Sequence, residues 1–434
     1  MMASSTRTRD WAAHSIEARA GSNRRSADRD PPREVTSGRA KLSLLGGGND
    51  SMTTTKSTPG HGPRRRRVIP RLEEWGKRLT VAPFGALLRP PPLESPIVAG
   101  RIRSILFLRN DGIGDMVLST PMWRILKQRH PEIRIGIVTS SRNSAIVESD
   151  PDVDFRYDCR GNELPSLLRA ARETRRISWD LVMPLIYFKK TKMALLCKLF
   201  APKATSSMVL MRANRSERYA HLFSVVLTTS YDPSRDLMLD LMREHFERTL
   251  GLLVADDEWK LSLRPDDRGV ASIRSAVADV LSADGTKGYV QVHLEAKDAF
   301  HELGVEGSLA LSKELTALHP DRSVLWTASS RTADAAKRFL DVTPTPCVHF
   351  QPTASLHELV GIVRGAELVL SPDTSVVHVA AAERGPLVGL YEHFPHQWRP
   401  SHQPSRVVTP PHGQPVSAIS IDAVVRECRD LLSA

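Results

Sequence analysis

Cysteine is scarce in this chain: Cys159, Cys197, Cys347 and Cys428 are the only four in 434 residues, widely spaced and without a CxxC pair. That excludes a disulfide framework and the dense spacing of a structural zinc site, and it makes a reducing compartment the expectation. Long apolar runs are also missing. No stretch approaches the ~18–20 residues that cross a bilayer, although a hydrophobic fraction of 41% is enough to fill the cores of two domains. Residues 1–30 hold no apolar core of a secretory signal, so the cytoplasm is the expected location.

Acidic charge is in deficit, with 60 Lys and Arg against 49 Asp and Glu and a formal charge of +11. Spread over a folded face, that surplus would suit nucleic acid. It is not spread: residues 1–100 carry 18 Lys and Arg against nine Asp and Glu, a net +9, which leaves +2 for the rest. No nucleic-acid partner is expected.

Residues 1–66 are rich in Ser, Thr, Arg, Gly and Pro and show no sustained period, which predicts a disordered basic extension. Met52 within it is a second candidate start beside Met1. Residues 67–100 form a basic and apolar segment. Its cluster at 64–89, with Trp75 and Phe84, suits either an inner-membrane surface or a linker packed on the first domain.

From residue 101 short apolar runs alternate with helical stretches. Strands are expected at 103–109, 133–140, 153–159, 179–186 and 205–211, with a helix at 121–131 and a long one at 235–253. After a polar linker and helix at 256–285 the alternation resumes, with strands at 288–296, 323–329, 347–350, 366–371 and 387–391. The chain ends in an amphipathic helix at 417–434. Such alternation predicts parallel βαβ units in two α/β, doubly wound domains, at 101–255 and 286–416. Ligands bind such sheets beyond the carboxyl ends of the strands.

Two stretches carry chemistry. In "RNDGIGDMVLSTP", Arg109 and Asn110 follow a strand, Gly112 and Gly114 permit close approach of a ligand, and Asp115 sits near a helix start. Only two glycines of a dinucleotide fingerprint are present, and Asp115 by itself reads first as a helix cap. In "SPDTSVVH", Ser371, Asp373, Thr374 and Ser375 open a helix whose N–H groups suit phosphate, with His378 on the same face. A cap and an ordinary helix histidine remain the plainer alternative.

Together with "WDLVMPLIYFKKTKMALLCKLF" and "HFERTLGLL", these stretches resemble glycosyltransferase family 9, the lipopolysaccharide heptosyltransferases, over about residues 102–432. The resemblance implies a GT-B type fold, two Rossmann-like domains facing across a cleft. It also implies inverting transfer of heptose from a nucleotide-sugar donor, ADP-heptose, to a lipid-linked oligosaccharide acceptor at the cytoplasmic face of the inner membrane, without metal or other cofactor. Asp115 matches the family's catalytic base. Asp373, Thr374 and His378 match its donor-binding residues, with Arg109, Asn110, Gly112 and Gly114 on the acceptor side. The sequence departs from the family at Ser375, where a glycine is usual, and at "HLEAKDAFHELG", where a phosphate-contacting lysine is displaced and Lys297 or His301 takes its place. Those departures also fit a re-purposed carbohydrate-binding or nucleotide-sugar-binding protein of the same fold.

Overall fold

The structure, a computed structural model, describes residues 90–97, 99–160, 163–211, 221–401 and 404–433. The extension expected at 1–66 and the basic cluster at 64–89 lie outside these residues. The chain divides after Arg65, and every described residue belongs to the second unit, Arg66–Ala434.

This unit holds two six-stranded sheets. In the first, β1 (Ser104–Leu108), β2 (Arg134–Thr139), β3 (Phe155–Asp158), β4 (Leu181–Pro184), β5 (Thr205–Met211) and β6 (Val225–Thr229) take the order β3-β2-β1-β4-β5-β6. The second, with β7 (Gly288–His293), β8 (Arg322–Thr327), β9 (Val348–Phe350), β10 (Leu368–Pro372), β11 (Leu387–Leu390) and β12 (Ser405–Val408), takes the order β12-β11-β10-β7-β8-β9. Every pairing is parallel. Both sheets therefore wind outward from a central strand pair, β1/β4 and β7/β10, which is the switch point where doubly wound folds hold ligands. The expected α/β architecture is present in both halves. Sequence reading missed only the outermost strands β6 and β12, each paired on one side.

The helices are α1 (Ile113–Arg129), α2 (Leu164–Thr174), α3 (Lys190–Phe200), α4 (Met238–Leu250), α5 (Asp267–Asp284), α6 (Val305–Leu318), α7 (Ser330–Val342), α8 (Leu356–Gly365), α9 (Ser375–Glu383) and α10 (Ile421–Leu432). The expected helix at 121–131 starts eight residues earlier, at Ile113, and runs through Pro121. Proline there removes the N–H that would bond the Val117 carbonyl. The Thr120 hydroxyl supplies that bond instead, at 2.8 Å.

The stretch read as a polar linker is anchored by apolar groups. Trp259, Leu261 and Leu263 are buried, and the Trp259 ring lies 5.6 Å from that of Phe246 on α4. Ser262 N–H donates to Thr120 Oγ1 at 3.1 Å, which pins this stretch along α1. Helices α1 and α9 pack against each other and join the halves. One hydrophobic core runs through the seam: Leu106, Val117 and Trp123 of the first half are continuous with Val360, Val376, Ala380 and Leu387 of the second. A smaller core fills the far side of the second sheet around Trp326, Leu370 and Val424.

Candidate active site

The loop leaving β1 is organised by Arg109. Its side chain is only 1% exposed, and its Nε donates to the Asp115 carbonyl at 2.9 Å. Its two terminal nitrogens reach Asp111 Oδ2 at 3.3 Å and Asp115 Oδ1 at 3.2 Å, and one of them also donates to the Leu185 carbonyl beyond β4. Arg109 thus faces the protein and shapes the loop. Asn143, fully buried beyond β2, completes the clamp: its Nδ2 donates to the carbonyls of Arg109 at 2.9 Å, Gly112 at 3.3 Å and Asp111 at 3.5 Å. Nothing in the sequence marks Asn143 except its place in a polar cluster just past a strand.

Asp115 is not the helix cap. Gly112 occupies the N-cap position of α1 and no side chain caps this helix end. The Asp115 carboxylate is turned instead toward Arg109, with about a quarter of the side chain open to solvent. The glycines make room for this. A Cβ on Gly112 would lie 2.8 Å from Asp115 Oδ2, and one on Gly114 would lie 2.5 Å from His378 Cδ2, both inside contact distance.

Asp111, inside the quoted motif but without a role read from sequence, has a carboxyl pushed up to about 6. Burial is the main cause and Asp115 adds to it, against the opposing charges of Arg109 and Lys189. Its Oδ1 and the Oδ1 of Asn110 are buried without a hydrogen-bond partner among the described residues.

From the second half, Thr374 caps α9, its Oγ1 accepting from Val376 N–H at 3.2 Å while lying 3.0 Å from Ser371 Oγ. Ser371 is fully buried, and Asp373 and Ser375 flank the cap on the open side. The His378 ring packs on Gly114 and edge-on to Trp398, at 6.3 Å between centroids. Burial lowers its pKa to about 4, assisted by Arg109 and opposed by Asp115, and its Nδ1 has no hydrogen-bond partner among the described residues. At neutral pH this imidazole is uncharged. It can offer a hydrogen bond but no counter-charge.

Lys297, His301 and Asp373 come together where β7 and β10 end. The protein around Asp373 raises its carboxyl pKa, against the pull of Lys297, His301 and His393. His301 is buried, with Nδ1 bonded to Asp298 Oδ1 at 2.5 Å, while Nε2 lies 2.8 Å from Glu392 Oε2 outside hydrogen-bond geometry. Lys297 is exposed and makes no ion pair among the described residues.

The neighbouring helix end is already filled. Glu295 Oε2 accepts from Ser329 N–H at the start of α7 at 2.8 Å, and Arg331 binds the same carboxylate, the Ala296 carbonyl and Glu302. Burial alone would raise the Glu295 pKa, but the bonds from Ser329 and Arg331 outweigh it and lower it. An internal carboxylate therefore occupies the N-terminus of α7, and the end of α9 is the one facing Asp115. Among the described residues no three His, Cys, Asp or Glu side chains are grouped to hold a metal ion.

Residues 310–416 match the family model for glycosyltransferase family 9 (heptosyltransferase). The lipopolysaccharide core heptosyltransferase OpsX of Haemophilus influenzae is 20% identical over 335 residues, 72% of this chain and 86% of the relative. A family 9 glycosyl transferase of Veillonella parvula superposes with a TM-score of 0.63 at 15% identity, covering 79% of this chain and 99% of that one. The E. coli heptosyltransferase WaaC, solved with ADP-2-deoxy-2-fluoro heptose, gives 0.59 at 17% identity over 75% of this chain and 99% of its own. At such identities the superpositions establish the fold, two facing α/β domains of GT-B type.

Proposed function

We propose that this chain, a glycosyltransferase carrying a family 9 domain, catalyses inverting transfer of heptose or a related sugar from a nucleotide-sugar, ADP-heptose by resemblance, to the core of a lipopolysaccharide or another surface-glycan acceptor. The observation that carries this reading is the placement of Asp115. Its carboxylate is withdrawn from the cap of α1, fixed by Arg109 at 3.2 Å, and set beside the seam where Gly114 meets His378 of the donor-side helix.

In this mechanism the acceptor hydroxyl lies against the loop after β1. Asp115 takes its proton as the oxygen attacks the anomeric carbon. The bond from that carbon to the diphosphate breaks on the opposite face, which inverts the configuration. Charge developing on the departing diphosphate meets the N–H groups at the start of α9, the hydroxyls of Thr374 and Ser375, and the ammonium of Lys297. His378, neutral at pH 7, offers a hydrogen bond to the bound donor, and its ring, packed on Gly114 and Trp398, helps fix the register of the halves. Arg109 and Asn143 act on the substrate only through the loop they hold.

Asp115→Asn is expected to lower transfer by about 10²–10⁴-fold, the usual contribution of a general base, while ADP-heptose binding measured by calorimetry is unchanged. Turnover within a few-fold of the parent enzyme would remove Asp115 from this role. A binding-only protein draws on the altered donor loop, and the same assay separates it: donor bound tightly by the parent chain, with no product on any core acceptor.

A further inference from the structure

Helices α2 and α3 pack side by side on the first sheet. They bury Ala170, Ala171 and Thr174 from one, and Met193, Leu196 and Phe200 from the other. Their outward sides are not ordinary solvated faces. Leu164 and Leu168, one turn apart on α2, are 64% and 54% exposed, and Leu195 on α3 and Phe188 just before it are exposed as well. Four of the nine exposed large hydrophobic residues of the described chain thus lie in residues 164–195.

Cations surround them. Residues 163–203 hold nine Lys and Arg against three Asp and Glu, a net +6, within a region beyond residue 100 that totals only +2. Outside this pair of helices that region is therefore net acidic. Arg169, Arg172, Arg175, Arg176, Lys189 and Lys203 are exposed, and none makes an ion pair among the described residues. A cavity of about 330 Å³ lined by Arg175, Arg176, Trp179 and Lys203 opens at the end of the face away from the cleft. At the other end Lys189 lies within electrostatic reach of Asp111. Exposed leucines beside exposed Lys and Arg form the chemistry of an interfacial surface, apolar groups for the acyl boundary and cations for headgroup phosphates.

We propose that the outward face of α2 and α3 docks the first domain on an anionic phospholipid surface, with Leu164, Leu168, Phe188 and Leu195 entering the acyl boundary and the surrounding cations contacting lipid phosphates. The face runs from the cationic cavity to the mouth of the cleft, so docking brings the loop after β1 beside the membrane plane. The inference rests on this surface and is independent of which sugar is transferred. It also assigns docking to folded helices, apart from the basic segment at 64–89.

The test is co-sedimentation of the full chain with vesicles of phosphatidylcholine alone or mixed with phosphatidylglycerol. The parent chain is expected to bind the anionic vesicles, to bind them less in raised salt, and to leave neutral vesicles unbound. Leu164→Asp with Leu168→Asp, and separately Arg169→Glu with Arg172→Glu, should each weaken that binding by roughly tenfold or more. Because these side chains are exposed, melting temperature and transfer to a soluble core fragment should stay as in the parent. Loss of vesicle binding with the melting temperature kept supports the proposal. Parent-like binding by both double variants would assign docking to another segment and overturn it, as would equal binding to neutral vesicles or no binding by the parent chain. If an aspartate pair proves unstable, the Arg176→Glu with Lys203→Glu variant at the cavity reads the same outcome.

Discussion

Asp111 and Asp115 share one guanidinium, and only one of them can have it fully. Burial, with the Asp115 charge adding to it, pushes the Asp111 carboxyl up to about 6 from 3.8 for an ordinary aspartate, against the opposing charge of Arg109. A raised carboxyl favours the folded state below the unfolded pKa and loses that advantage as pH rises through the folded value. Asp111→Asn, which carries no charge to bury, is therefore expected to be more stable than the parent at pH 8, by on the order of 1–2 kcal/mol, and to converge on it near pH 4. Thermal melts across that range check the sign. Asn143→Ala should act oppositely, costing about 1–3 kcal/mol for the Arg109 carbonyl left without its donor and lowering kcat with little change in donor KM. Asp115 could be singled out from sequence because a glycine turn and a helix start are local patterns. Asn143 could not, since its bonds span 31 to 34 residues and exist only once β1 and β2 are paired.

At the scale of elements, α1 carries both Asp115, the proposed base, and the seam. Gly114→Ala would set a methyl group 2.5 Å from the His378 ring, which is itself wedged against Trp398 and cannot yield cheaply. The expected cost is about 1–3 kcal/mol of stability, with a fall in kcat as α1 and α9 are pushed apart. Kinetics and melting of this one variant test whether the contact is structural and functional together. The fully buried strands β1 and β10 were legible as continuous apolar runs, and the sheets followed from their alternation with helices. The continuity of α1 was not: a helix start was read near Asp115, but Pro121 signals a boundary, and the Thr120 hydroxyl on the Val117 carbonyl lets one helix run through it. Strands β6 and β12 escaped because VVLTT and SRVV are short, partly polar runs, although the other edge strands, β3 and β9, were legible.

For the molecule as a whole, the two sheets share an interior. The larger core extends from Leu106 and Trp123 through α1 and α9 to Val360 and Leu387. A seam of that kind restrains the domain motion expected of a polar interface, and calorimetry of residues 66–434 should show one unfolding transition with equal van't Hoff and calorimetric enthalpies. Two separated transitions would mean that the halves fold independently. Removal of residues 1–66 is expected to leave that transition and sugar transfer in place. The shared interior also bears on descent. A second half borrowed from a relative would arrive with a different α9, and the α1 it must meet would present the wrong surface. The two helices have to be inherited as a matched pair, so the contact between them stands against exchange of one half alone.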